Sequence, residues 1–231
     1  GRANRFLSSW ADGVFVGFTQ ATEYFSVGST LDVGTPVRPS FRFAEYSLSR
    51  KVLGFEMDKP LILILGGSQG ARGVNNLVMQ AINQIPDVQV LHLCGPNDLN
   101  EVQESYASRS HISRVHSFLS EMPEAMAAAT LAVTRAGAST LAELAAAGVP
   151  SILLPLPNSV DKHQIANAQA VAEMGGGIIA EETMTSPQQL CSMISALLNN
   201  KAKLSLMSEN MKKLDRPNAA KEIAVRILER M

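Results

Sequence analysis

From Leu61 onward, short apolar runs alternate with segments of helical period, and little else intervenes. The clearest run, Leu61-Ile62-Leu63-Ile64-Leu65, is uninterrupted, the pattern of a strand buried on both faces of a parallel sheet. Further strands are expected at 88–93, 112–118, 131–134, 151–154 and 177–180, with helices filling the intervals. Such alternation implies a parallel sheet with right-handed crossovers and helices on both faces. The end of the chain reads as purely helical. Ser186-Pro187-Gln188-Gln189 has an N-cap serine, a first-turn proline and a third-position glutamine, and two more helices are expected near 202–214 and 218–229. Leu214-Asp215-Arg216-Pro217 predicts a break between them.

Three strand-to-helix junctions carry candidate chemistry. The first, Gly66-Gly67-Ser68-Gln69-Gly70-Ala71-Arg72, follows the Leu61 strand and leads into a helix from about Gly73 to Gln84. Glycines let the backbone approach a diphosphate, and Ser68 adds a hydroxyl donor at the helix entrance. The loop lacks the lysine of a P-loop and the Gly-x-Gly-x-x-Gly spacing of dinucleotide enzymes, and tight βα turns also use glycine for steric reasons alone. In the second, Thr134-Arg135-Ala136-Gly137-Ala138-Ser139-Thr140-Leu141-Ala142-Glu143, a strand turns through small residues into an alanine-rich helix ending at Gly148-Val149-Pro150. Glu143 there can accept two hydrogen bonds from a ribose diol, or Thr140 and Glu143 can form a capping box, the simpler account of this segment alone. The third leads from Pro155 to a helix opening at Asp161-Lys162-His163-Gln164-Ile165-Ala166-Asn167. Gln164 and Asn167 lie three apart, where two amides suit sugar hydroxyls; Asp161 and Gln164 have the spacing of another cap.

Composition narrows the classes. The 231 residues are 46% hydrophobic and 18% charged, enough for one large or two modest domains. A net charge of −1 gives no general attraction to nucleic acid or an anionic membrane. Cys94 and Cys191 are isolated, which argues against a disulfide framework or a zinc site and fits a reduced cytoplasm. The alanine-rich stretch from 125 to 157 is broken by Arg135, Glu143, Gly148 and Pro150 and is not a membrane span.

Before Leu61 the pattern differs. Residues 1–40 predict a helix end near Asn4 to Trp10, strands near 13–18 and 31–33 with a short helix between, and a close on Gly34-Thr35-Pro36-Val37-Arg38-Pro39. So few elements cannot close a core of their own, since a domain needs ~100 residues. The expected division is therefore 1–40 as the tail of a larger domain whose beginning is absent, 41–58 as an irregular, polar linker, 59–215 as the α/β domain, and 216–231 as a C-terminal helix.

Four ordered segments carry a resemblance across essentially the whole chain: Gly34 to Arg38, Gly66 to Arg72, Arg135 to Pro150 and Asp161 to Ala168. Together they resemble the carboxyl half of the MurG family of bacterial peptidoglycan glycosyltransferases. The resemblance implies an α/β fold of the GT-B type, with a Rossmann-like parallel-sheet C-terminal domain and a remnant of an N-terminal Rossmann-like one. It implies an inverting transfer of N-acetylglucosamine from UDP-N-acetylglucosamine to the lipid I acceptor, forming lipid II. It also implies attachment to the inner face of the plasma membrane through the missing domain, with no cofactor, metal or nucleic-acid partner.

Position by position, the resemblance gives Glu143 the ribose hydroxyls and Ser68 and Arg38 the diphosphate. Leu119 matches a position whose main chain pairs with the uracil edge. Gln164 and Asn167 match residues that read the sugar, Ser139 and Thr140 line the neighbouring helix entrance, and Asn4 aligns with an asparagine near the cleft. Thr35, Ser139 and His163 stand where the family usually has asparagine, an apolar residue and glutamine. The family's amino-terminal glycine-rich loop, whose histidine is a candidate general base, has no counterpart here, and none of His92, His111, His116 or His163 replaces it by motif. The chain alone is therefore expected not to turn over. One alternative is a nucleotide-sugar-binding subunit completed by a separate membrane-anchored chain. A UDP-sugar epimerase would need clustered carboxylates, which the sequence does not offer, and a nicotinamide enzyme an acidic residue after the second strand.

Overall fold

A computed structural model describes residues 2–25, 30–67, 71–156 and 163–229. The amino-terminal portion holds helix α1 (Arg2–Ser8), strand β1 (Val14–Val16), a 3-10 turn (Thr19–Tyr24) and strand β2 (Thr30–Asp32). β1 and β2 pair in parallel, with Phe15 opposite Leu31. On α1, Phe6 and Leu7 are exposed, and the Phe6 ring meets Trp10 edge-on, with the centroids 4.6 Å apart.

The segment expected to be an irregular linker is not irregular. Ser40–Phe43 forms α2 and Tyr46–Leu53 forms α3. Phe41 and Phe55 are buried in the core of the following domain, and Arg50 has no exposed surface at all. Part of the polarity of this stretch comes from Arg50, which is not at the surface. Its guanidinium instead donates to the carbonyls of Ala128, Glu56 and Lys59 and to the Thr130 hydroxyl, and it lies 4.7 Å from the Tyr46 ring centroid. A cation whose donors all meet oxygens can be buried where an unpaired one cannot.

The remainder alternates as the sequence predicts: β3 (Leu61–Leu65), α4 (Arg72–Ile82), β4 (Gln89–Leu93), α5 (Leu99–Tyr106), β5 (Ser113–His116), α6 (Met122–Ala128), β6 (Leu131–Thr134), α7 (Ala138–Ala147), β7 (Ser151–Leu153), α8 (His163–Glu173) and β8 (Gly177–Ile179). Three helices close the chain: α9 (Pro187–Leu198), α10 (Lys201–Lys213) and α11 (Ala219–Leu228). The Ser186–Gln189 capping box forms, its serine hydroxyl accepting from the Gln189 N–H and its N–H donating to the Gln189 side chain. The expected break after Leu214 separates α10 from α11.

The sheet is fully parallel in the order β5-β4-β3-β6-β7-β8. Side chains of β3 alternate between two cores. Ile62 and Ile64 join α4 and α9 on one face, while Leu61, Leu63 and Leu65 meet α6 and α7 on the other. Burial on both faces is why the run contains no polar residue. The strand order reverses direction between β3 and β6, and in open α/β sheets the carboxyl ends at such a point frame a ligand crevice.

Candidate functional site at the strand-order switch

The loops leaving β3 and β6 are the first two junctions singled out in the sequence. After β3, the Gly66 N–H donates to the Leu93 carbonyl, and Gly67 has φ +93°, with open space where a Cβ would stand. Glycine is thus needed at 67 for backbone conformation rather than for room. Ser68, Gln69 and Gly70 lie outside the described residues, so the diphosphate role expected of Ser68 stays an expectation.

Beneath this loop is a buried polar network that the sequence reading missed. Asn75, on the inner face of α4, donates to the Cys94 carbonyl and to Asp98, and its side-chain oxygen is 3.1 Å from His92 Nε2. His92 Nδ1 is 3.2 Å from the Tyr106 hydroxyl. Burial lowers the His92 pKa to about 3, so the ring is neutral and one nitrogen must accept. The available signal was a lone asparagine on the apolar face of α4.

After β6, helix α7 begins at Ala138 with Gly137 as N-cap and no side-chain capping bond. Thr140 is therefore inside the helix, and the Thr140–Glu143 capping box is not formed. Glu143 is half-buried and has no hydrogen-bond or ion-pair partner among the described residues. Burial raises its pKa, and the nearby Arg38 guanidinium opposes that rise. A carboxylate left partly desolvated and unpaired is an acceptor awaiting a donor. Ser139 is exposed and Thr140 partly buried on the same first turn. Arg135, quoted in the motif but given no role, donates to the Leu154 carbonyl at 3.0 Å and pairs with Glu182 at 2.6 Å, tying the ends of β6 and β7 to the loop before α9.

Arg38 reaches this region from the segment between β2 and α2. Its guanidinium is exposed, lies 5.2 Å from the centroid of the buried Phe41 ring, and has no ion pair with a described residue. At the third junction both amides serve the local fold with one end only. Gln164 Oε1 accepts from the Leu156 N–H at 3.0 Å, and Asn167 Nδ2 donates to the Ala136 carbonyl at 3.1 Å. The Gln164 amide N–H groups and the Asn167 oxygen have no partner among the described residues. Asp161, the alternative cap, lies outside them.

Leu119 follows β5, with its side chain against the core beside α6 and its peptide groups unpaired among the described residues. Asn4 is exposed on α1 and shares a cleft of about 240 Å³ with His163, Asn167 and Ala138. Asn4 and Asn167 are thus brought together across the two portions of the chain. Of the other histidines, His92 is the buried network member, and His111 pairs with Asp87 on the surface.

Residues 61–223 match the glycosyltransferase family 28 C-terminal domain. A UDP-N-acetylglucosamine--N-acetylmuramyl-(pentapeptide) pyrophosphoryl-undecaprenol N-acetylglucosamine transferase from Desulforamulus reducens is 35% identical over 96% of the chain, and one of the same name from Symbiobacterium thermophilum is 34% identical over 99%. The chain spans 63% and 62% of these relatives' lengths. The crystal structure of Acinetobacter baumannii MurG superposes with a TM-score of 0.73 at 29% identity, covering 95% of this chain and 65% of that one. The α/β class with a parallel Rossmann-like sheet of GT-B type is as expected. The chain belongs to glycosyltransferase family 28, whose C-terminal domain it contains.

Proposed function

We propose that this chain is the donor-binding part of an inverting transferase that moves N-acetylglucosamine from UDP-N-acetylglucosamine to lipid I, yielding lipid II and UDP during peptidoglycan synthesis. The observation that carries this reading is Glu143, partly buried and unpaired among the described residues, on the first helix beyond the strand-order switch. A ribose diol supplies the two donors that such a carboxylate lacks. The names of the relatives supply the donor and the acceptor class.

In this reading the ribose sits on Glu143 and the uracil edge meets the Leu119 main chain. The diphosphate lies between the Gly66–Ala71 loop, including Ser68, and the Arg38 guanidinium. Arg38 and the amino ends of α4 and α7 offset the charge that develops on UDP as it departs, without a metal ion. The sugar hydroxyls meet the free ends of Gln164 and Asn167, with Ser139, Thr140 and Asn4 nearby. The division of the chain belongs to the same proposal: an acceptor-domain tail at 1–40, the interdomain connection at 41–58, whose helices α2 and α3 pack onto the donor domain, the donor domain at 59–215 and the terminal helix at 216–231. So does work on the cytoplasmic face of the membrane as a peripheral protein.

The test is a titration of UDP-N-acetylglucosamine against the chain and its Glu143→Ala variant. The expected outcome is an affinity loss of about tenfold or more for two charge-assisted hydrogen bonds, with the thermal transition intact. If the transition collapsed while affinity held, Glu143 would be structural and the reading wrong.

A further inference from the structure

The phosphate arm Arg38 sits on a strap, residues 32–42, held at both ends by two consecutive residues of the α10–α11 connection. At one end Arg42 grips Asp215 with a two-pronged fork, Nε to Oδ2 at 2.6 Å and Nη2 to Oδ1 at 2.7 Å, both side chains largely shielded from solvent. The third nitrogen, Nη1, reaches back to the Val37 carbonyl at 3.4 Å, one residue before Arg38. At the other end the aliphatic stem of Arg216 lies against Gly34, where a Cβ would come within 2.4 Å of it, and its guanidinium contacts Asp32 Oδ2 at 3.4 Å. Gly34 has φ +82°, so a side chain there is excluded by both conformation and space.

A paired, planar fork fixes direction as well as distance, which a single ammonium contact does not. The guanidinium of Arg38 has no such anchor among the described residues; only the Phe41 ring lies beneath it. Its placement near Glu143 therefore depends on where the strap is held.

We propose that Arg42 and Asp215 are positioning residues for donor binding: they set Arg38 over the diphosphate site and thereby couple the start of the C-terminal helix to nucleotide affinity. This inference rests on the donor-site reading above. It assigns the pair a role in phosphate recognition distinct from plain stabilisation, because uridine, which carries no phosphate, uses Glu143 and Leu119 but not Arg38.

The experiment compares UDP and uridine binding by calorimetry to the chain, to Asp215→Asn, to Arg42→Lys, to Arg38→Ala and to the Arg38→Ala/Asp215→Asn double variant. The expected result is that Asp215→Asn and Arg42→Lys each weaken UDP by about tenfold, the scale of one charge-assisted contact, and leave uridine within about twofold. In the Arg38→Ala background, Asp215→Asn should cost nothing further, since the arm it positions is gone. Equal loss for UDP and uridine, or additive losses in the double variant, would overturn the proposal. If the parent chain binds neither ligand, the donor-site reading falls and this inference with it. If Arg38→Ala weakens UDP and Asp215→Asn does not, the inference alone falls.

Discussion

Asn167 donates from Nδ2 to the carbonyl of Ala136 at 3.1 Å, tying the first turns of α8 to the loop that opens α7. The same side chain therefore serves the fold with its nitrogen and leaves its oxygen toward the proposed sugar. Asn167→Ala removes both. The expected outcome is a stability loss of about 1–2 kcal/mol in urea denaturation, from a carbonyl left without its donor. Affinity for UDP-N-acetylglucosamine should fall while that for UDP is unchanged. An equal fall for both would place Asn167 away from the sugar.

Glu143 makes an opposite prediction for stability. Its pKa is raised in the folded state, first by burial and only partly offset by Arg38. The folded protein then holds a proton more tightly than the unfolded chain, so stability is lost as pH rises from the unfolded carboxylate value through the folded one. Glu143→Gln, which carries no charge to desolvate, should be more stable than the parent at pH 7, with the difference shrinking toward about pH 4. Denaturation midpoints at the two pH values decide it, and a parent more stable than the variant at neutral pH would count against an unpaired carboxylate.

Gly67 has open space around its missing Cβ, yet a φ that L-residues rarely adopt. Gly67→Ala should therefore cost about 1 kcal/mol through backbone strain alone. It should also weaken UDP more than uridine, because the loop is proposed to face the diphosphate. Parallel titrations of the two ligands check this.

Arg50 has no solvent exposure and satisfies the carbonyls of Ala128, Glu56 and Lys59. Arg50→Met keeps the stem and removes every donor. The expected loss is roughly 3 kcal/mol, as for other broken buried polar clusters. Chemical denaturation measures it, and UDP affinity of the folded fraction should stay the same.

These residues also show what the sequence made legible. The β3 run and the turn from β6 into α7 could be read directly, because burial on both faces leaves a continuous apolar signature and helix entrances need small or polar residues. Pairings between distant residues could not. Asn75 and His92 look like ordinary polar substitutions until α4 and β4 are stacked. Arg50 looks like surface charge until three carbonyls converge on it. The capping box proposed at Thr140–Glu143 failed because Ala138 and Ser139 already belong to the helix, so that the position of the cap was set by Gly137. Arg42 and Asp215, 173 positions apart, had no local signal at all.

The Arg50 cluster bears on how such a domain could be recombined. A donor half transplanted into another transferase from residue 59 onward would leave behind the guanidinium that the Ala128 and Lys59 carbonyls and the Thr130 hydroxyl require, along with the Phe41 and Phe55 rings that fill the same core. The natural seam for a chimera therefore lies upstream of Ser40, so that α2 and α3 travel with the sheet they cover.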